Sequence, residues 1–196
     1  MNQIEKFIKD LEESNSFPNT RNLYHGNNNS SIGTESLYSN TSGSSNTSVG
    51  YQSLYYNTVG YENTAVGYQS LYSNISGLSN TAIGLQSLKA NTYGEGNTSV
   101  GYQSLLSNTV GHNNVAMGMY TLGLNTTGGS NTAIGEGSLS QNIIGARNTA
   151  LGRNTGNSIT TGSNNTVIGY EADVPSGTAS NQVRIGNISV TYAGVQ

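Results

Sequence analysis

The chain is predicted to be all-β, a parallel β-solenoid or β-roll built from 17-residue rungs, and three observations carry that reading. First, Asn recurs at Asn29, Asn46, Asn63, Asn80, Asn97, Asn114, Asn131, Asn148 and Asn165 with no change of spacing. Second, Gly stands four residues after each of them, from Gly33 to Gly169. Third, only 9% of the 196 residues are charged and 33% are hydrophobic. Such a chain is too polar for a conventional core and too poor in charge for solvated disorder. Stacked coils resolve this, because they satisfy backbone and amide groups without a large apolar interior.

Written from the recurring Asn, the unit reads approximately N-T-[AS]-[VI]-G-Y-Q-S-L-x-x-N-T-x-G-x-x. Runs such as Thr64-Ala65-Val66, short and partly β-branched, are the expected strands, and the two Gly per unit punctuate them. The fourth position is always apolar, from Ile32 to Ile168, and the ninth is Leu from Leu37 to Leu139 before Gly156 interrupts it. Both are expected to form ridges along a rod of about 40 Å, given an inter-strand spacing of about 4.8 Å. Asn at the first position, and again at the twelfth from Asn40 to Asn142, is expected to stack into amide ladders. The recurrent Gly is expected to mark left-handed backbone or a bend too tight for a Cβ. One Val and one Leu per rung return far less than ordering 17 residues costs, which favours association of several chains.

Outside the array, residues 1–14 are predicted to form a short amphipathic helix, with Ile4, Phe7, Ile8 and Leu11 on one side. It would anchor the chain, nucleate assembly or dock to a larger particle; a frayed tail is the alternative. Residues 15–28 read as a linker with Pro18 as a helix stop, and 29–180 as the repeat array. At Asn181 the spacing falls to 16, so 181–196 is read as a terminal rung or cap.

Composition also narrows function. A net charge of −3 with seven scattered basic residues leaves no cationic surface for nucleic acid. Zero Cys excludes disulfides, thiolate metal sites and thiol catalysis. Catalysis requires convergent titratable groups, and His25, His112, Asp10, Asp173 and scattered Glu offer none, so the chain is expected not to be an enzyme and to need no metal or cofactor. No Asp recurs per unit as a calcium repeat requires, and no phosphate-loop signature occurs. With Met1 as the start, residues 1–14 lack the apolar run of a signal peptide, and no stretch is long enough to span a membrane.

The candidate binding residues are aromatic. Tyr51, Tyr68 and Tyr102 share the sixth position, and Tyr38, Tyr55 and Tyr72 the tenth. Exposed strips of this kind would stack on sugar rings or seat a protein partner; alternatively they line a contact between chains.

The rungs NTAVGYQSLYSNISG (63–77) and NTSVGYQSLLSNTVG (97–111) resemble the repeats of phage and giant-virus tail-fibre-like proteins. More loosely they are similar to the head repeats of trimeric autotransporter adhesins of the YadA type. The latter resemblance implies a left-handed β-roll in which three chains form one trimer. The stretch Asn181-Gln182-Val183-Arg184-Ile185-Gly186-Asn187 resembles the segment before the intramolecular chaperone of endosialidase-type fibres. Together these imply a homotrimeric structural or adhesive fibre or spike segment, on a virion or an extracellular surface, that attaches to a host glycan or protein. Two alternatives stand beside it: a spacer or capsid-associated protein without receptor activity, and a monomeric ice-binding solenoid presenting Thr47, Thr64, Thr81 and Thr98 as a single file.

Overall fold

The structure, a computed structural model, describes residues 28–190. The expected helix over 1–14, most of the linker and residues 191–196 lie outside the described part.

Ten three-residue strands follow one another in chain order. They are β1 (Ser30–Ile32), β2 (Thr47–Val49), β3 (Thr64–Val66), β4 (Thr81–Ile83), β5 (Thr98–Val100), β6 (Val115–Met117), β7 (Thr132–Ile134), β8 (Thr149–Leu151), β9 (Thr166–Ile168) and β10 (Val183–Ile185). They form one parallel sheet in the order β1 to β10, each paired with its neighbour 17 residues away, as Thr64 with Thr81 and Val66 with Ile83. This is the β-solenoid expected from the period. Backbone bonds continue the ladder beyond the strands, for example Leu71 N to Ser87 O at 3.0 Å and Gln69 N to Tyr51 O at 2.9 Å.

A strand places alternate residues on opposite faces. Here the third position points inward: Ala65, Ala82, Ala116, Ala133 and Ala150 are fully buried. The interior is completed by the Leu file, Leu37 to Leu139, with no exposed surface on any member. The expectation of two internal ridges is therefore half right. The ninth position is core, but the fourth faces out, with Ile83 40% and Met117 42% exposed. The reason is volume, because a narrow coil already filled by Leu accepts only Ala or Ser opposite it. Where Ser stands at the third position, its hydroxyl pairs within the rung, as Ser48 with Ser53 at 2.6 Å.

Both amide ladders form, and both are buried. At the first position Asn63 donates from its backbone N (3.0 Å) and Nδ2 (3.1 Å) to Asn46 Oδ1, and Nδ2 also donates to Gly77 O at 2.9 Å. At the twelfth, Asn74 Nδ2 donates to Asn57 Oδ1 at 2.7 Å and to Gly77 O at 3.0 Å. The amides thus hold the turns together by meeting carbonyls that the short strands leave unpaired.

The two glycines of a unit serve different ends. Gly67 has φ 133°, and a Cβ there would lie 2.5 Å from Gly84 O. Gly60 is not left-handed, but its Cβ would lie 2.4 Å from Asn57 Oδ1, so the ladder itself excludes a side chain. Residues with side chains nonetheless adopt left-handed backbone in every rung, among them Gln69 (φ 51°), Leu71 (49°) and Ser79 (54°). Each costs on the order of 1 kcal/mol, and the inter-rung bonds offset it.

The array departs from its pattern near the C-terminal end. Gly156 replaces Leu, Ile159 replaces Asn, and both are buried. The expected slip to a spacing of 16 does not occur. Val183 pairs with Thr166, a step of 17, and Gln182 takes the ladder place by donating its backbone N to Asn165 Oδ1 at 2.8 Å. Asn181 lies one position earlier, in the left-handed turn with φ 62°.

Candidate functional site

With amides, Ser and Leu inside, whatever the molecule does it does on its outer surface. Among the described residues no group of three or more His, Asp or Glu comes together. Asp173 is engaged structurally, accepting from Ser158 N at 2.9 Å and Ser158 Oγ at 2.6 Å.

The outer face of the sheet carries the second and fourth positions. From Thr47–Val49 to Thr166–Ile168 it presents Thr, Val, Ile, Leu and Met, with no charged side chain. The Thr hydroxyls at 47, 64, 81 and 98 donate no hydrogen bond to any described residue, unlike the thirteenth-position Thr58 and Thr109, whose Oγ1 atoms donate to Ile75 O (3.1 Å) and Thr126 O (3.2 Å). Ten strands at about 4.8 Å and three residues at about 3.3 Å give a strip of about 430 Å² in projection. It lies within the size range where patches on a monomer are often functional.

The six tyrosines picked out by sequence fall into two separate files. Tyr38, Tyr55 and Tyr72 stack at 5.1 and 5.3 Å between ring centroids, with interplanar angles of 7° and 20°. Tyr51 and Tyr68 stack at 5.5 Å. Tyr102 belongs to the second file, but Leu85 separates it from Tyr68. Stacking changes what the files offer. Tyr55 has a ring over each face, so a sugar has only edges and hydroxyls to meet there. Burial pushes the Tyr55 phenol up, with Glu35 and the neighbouring phenols adding to the effect. Burial likewise raises Tyr72, helped by its hydrogen bond with Tyr56.

Two tyrosines that meet these files edge-on escaped the sequence reading. Tyr56, at the eleventh position, sits edge-on to Tyr55 (4.8 Å) and Tyr72 (5.1 Å). Tyr120 stands at the seventh position, where the four preceding rungs carry Gln, and meets Tyr102 edge-on at 5.2 Å and 88°. Its phenol is pushed up by the hydrogen bond with Tyr102 and by burial. The signal for Tyr120 was its departure from the repeat, not membership of a file.

Further along the sixth position, Arg153 Nε donates to Glu136 Oε2 at 3.1 Å while its guanidinium lies 6.0 Å from the Tyr170 ring centre. This pair is half exposed and ties three rungs together from outside. No family model, curated protein or solved structure matches the chain.

Proposed function

We propose that the chain is a structural segment of a fibre or spike on a virion or cell surface, assembled as a homotrimer through the outer face of its sheet. The observation that carries this reading is the fourth-position ridge, ten apolar side chains from Ile32 to Ile185, of which Ile32, Ile83, Met117, Ile134, Ile168 and Ile185 are at least 36% exposed. A continuous uncharged ridge is costly to leave in water, and covering it with the same ridge of another copy removes that cost. The resemblance of the rungs to fibre repeats supports the same reading, and so does a regular interior that specifies a stiff rod. Sedimentation or light scattering of the full chain is the test. A mass three times that of the chain is expected, and the variant Ile83→Lys/Met117→Lys is expected to sediment as a monomer with unchanged β circular dichroism. A wild-type monomer with full β signal would overturn the assembly.

A second reading rests on the uncommitted Thr hydroxyls beside the Val and Ile methyls. A monomer presenting that regular face would bind ordered water, and measurable thermal hysteresis would favour it. Its absence would eliminate it.

A further inference from the structure

In the middle of the array the sequence departs from its own repeat at 119–124, Met-Tyr-Thr-Leu-Gly-Leu, where the rungs at Tyr51, Tyr68 and Tyr102 read Tyr-Gln-Ser-Leu followed by a larger tenth residue. In a repeat protein the regular positions build the rod, so local departures that cost nothing inside are where a specific site is expected. Thr121 and Leu122 keep the interior, fully buried. The changes are all external. Gly123 stands where other rungs carry Tyr55, Tyr72, Lys89 or Leu106, and Gly137, one rung on from Tyr120, places no side chain beside it.

The result is a recess of about 290 Å³, bordered by Gln103, Leu106, Tyr120, Leu124 and Gln141 with Gly123 as its floor. That is the small end of the range for ligand pockets, room for one ring. Tyr120 is 45% exposed and is not sandwiched between parallel rings as Tyr55 is. The polar groups are equally specific. An outer amide ladder runs Gln69 to Gln52 (2.8 Å), Gln86 to Gln69 (3.3 Å) and Gln103 to Gln86 (2.7 Å), each Nε2 donating to the previous Oε1. It ends at Gln103 because Tyr120 replaces the next Gln, which leaves the Gln103 Oε1 acceptor without a partner among the described residues. Gln141, across the recess, makes no side-chain hydrogen bond to any described residue and supplies a second amide.

We propose that this recess is a binding subsite for a neutral pyranose ring. The aromatic and Leu side chains match the apolar face of such a ring, and the two amides at its margins match hydroxyls. No charged side chain lines the recess, which argues against sialylated, uronic or phosphorylated sugars. The site lies beyond the glycine bend from the outer sheet face, so it does not rest on the assembly proposed above.

The test is fluorine NMR of the full chain labelled with 3-fluorotyrosine, the Tyr120 signal being assigned by its loss in Tyr120→Phe. Lactose, maltose and chitobiose are the neutral probes and sialyllactose the charged one. The Tyr120 signal is expected to shift saturably with at least one neutral disaccharide, with an affinity of about millimolar. Gly123→Tyr, which restores a residue other rungs carry and fills the recess, is expected to weaken that binding about tenfold or more. Gly123→Tyr retains the ladder, so loss of fold does not confuse the result. An unmoved Tyr120 signal with all three neutral sugars overturns the proposal. So do an equal response in Gly123→Tyr, tighter binding of sialyllactose, or uniform shifts of every Tyr.

Discussion

Asn142 is the last amide of the twelfth-position ladder because Ile159, one rung further on, has no side-chain N–H to give it, and its backbone N donates to Gly156 O at 3.1 Å. Asn142 Nδ2 donates to Asn125 Oδ1 at 2.8 Å, but its own Oδ1 is buried without a partner among the described residues. Ile159 instead turns toward the space that Leu would occupy at Gly156: a Cβ on Gly156 would lie 3.0 Å from Leu139 Cδ2 and 3.4 Å from Ile159 Cδ1. The two exceptions are one exchange, apolar bulk moved from the ninth position to the twelfth.

That exchange predicts strong coupling. Gly156→Leu alone overfills the interior and is expected to cost about 1–3 kcal/mol. Ile159→Asn alone repairs the Asn142 acceptor but opens a cavity, for a net loss of about 1–3 kcal/mol. Made together they restore the rung found at Leu139 and Asn142, and the double variant is expected to be at least as stable as the parent. A denaturant double-mutant cycle measures this. Simple additivity would mean that Ile159 does not fill the Leu space.

Gly96 and Gly101 predict opposite severities five residues apart. At Gly96, φ is 63° and a Cβ meets only the flexible Asn113 Oδ1, at 2.6 Å. Equivalent positions in other rungs carry Ser79 and Asn113. Gly96→Ala is therefore expected to cost about 1 kcal/mol. At Gly101, φ is 140° and the Cβ would lie 2.5 Å from the Gly118 carbonyl oxygen, a backbone atom held in the ladder. Gly101→Ala is expected to cost more than about 4 kcal/mol or to prevent folding. Thermal unfolding of both variants gives the comparison.

The period, the parallel stacking and both Asn ladders were legible in the sequence because each depends on residue type at a fixed spacing. Which of Ala65 and Val66 points inward was not, since a three-residue strand gives too little alternation to set its face. Hydrophobicity alone favours Val66, and only the volume left beside Leu71 decides for Ala65. Nor does any residue-type rule announce left-handed backbone at Gln69 or Leu71, where position in the coil overrides intrinsic preference. The terminal rung was misread because Asn181 is the same residue type as the ladder members while Gln182 performs their function with one more methylene. At the candidate site, the Tyr files were visible as spacing, but their mutual stacking, which covers both faces of Tyr55, required coordinates. Tyr120 was hidden because attention to the repeat discounts what departs from it.

Glycosylation provides an independent check on which Asn are internal. Asn40, Asn46, Asn74, Asn97 and Asn125 all head N-x-S/T triplets, yet each is at most 2% exposed. A glycan on any of them is incompatible with the ladders. When the chain is expressed through a glycosylating lumen, the folded, protease-resistant fraction is expected to carry no glycan at these five sites by peptide mass spectrometry. Occupied chains are expected in the aggregated fraction. Occupancy at Asn97 in folded protein would contradict the buried ladder.

Charge placed inside the ladder makes the sharpest prediction. Asn97 Nδ2 donates to Asn80 Oδ1 (3.1 Å) and Gly111 O (2.9 Å), while its Oδ1 accepts from Asn114 N (3.0 Å) and Nδ2 (3.1 Å). Asn97→Ala orphans these groups and is expected to cost about 2–4 kcal/mol, whereas Thr98→Ala on the outer face is expected to change stability by less than about 0.5 kcal/mol. Asn97→Asp keeps the shape but gains a group whose ionised form has no cation nearby and no way to donate. Burial raises its folded-state pKa above the unfolded value of about 3.9. A raised folded pKa contributes stability that is fully present below the unfolded pKa and is lost as pH rises through the folded one. Asn97→Asp is therefore expected to approach the parent near pH 3, where the neutral acid both donates and accepts. From about pH 4 upward it should fall progressively behind, until the folded carboxyl has ionised. Melting temperatures of parent and variant across this range measure the difference, and a gap that does not change with pH would place Asn97 in contact with solvent.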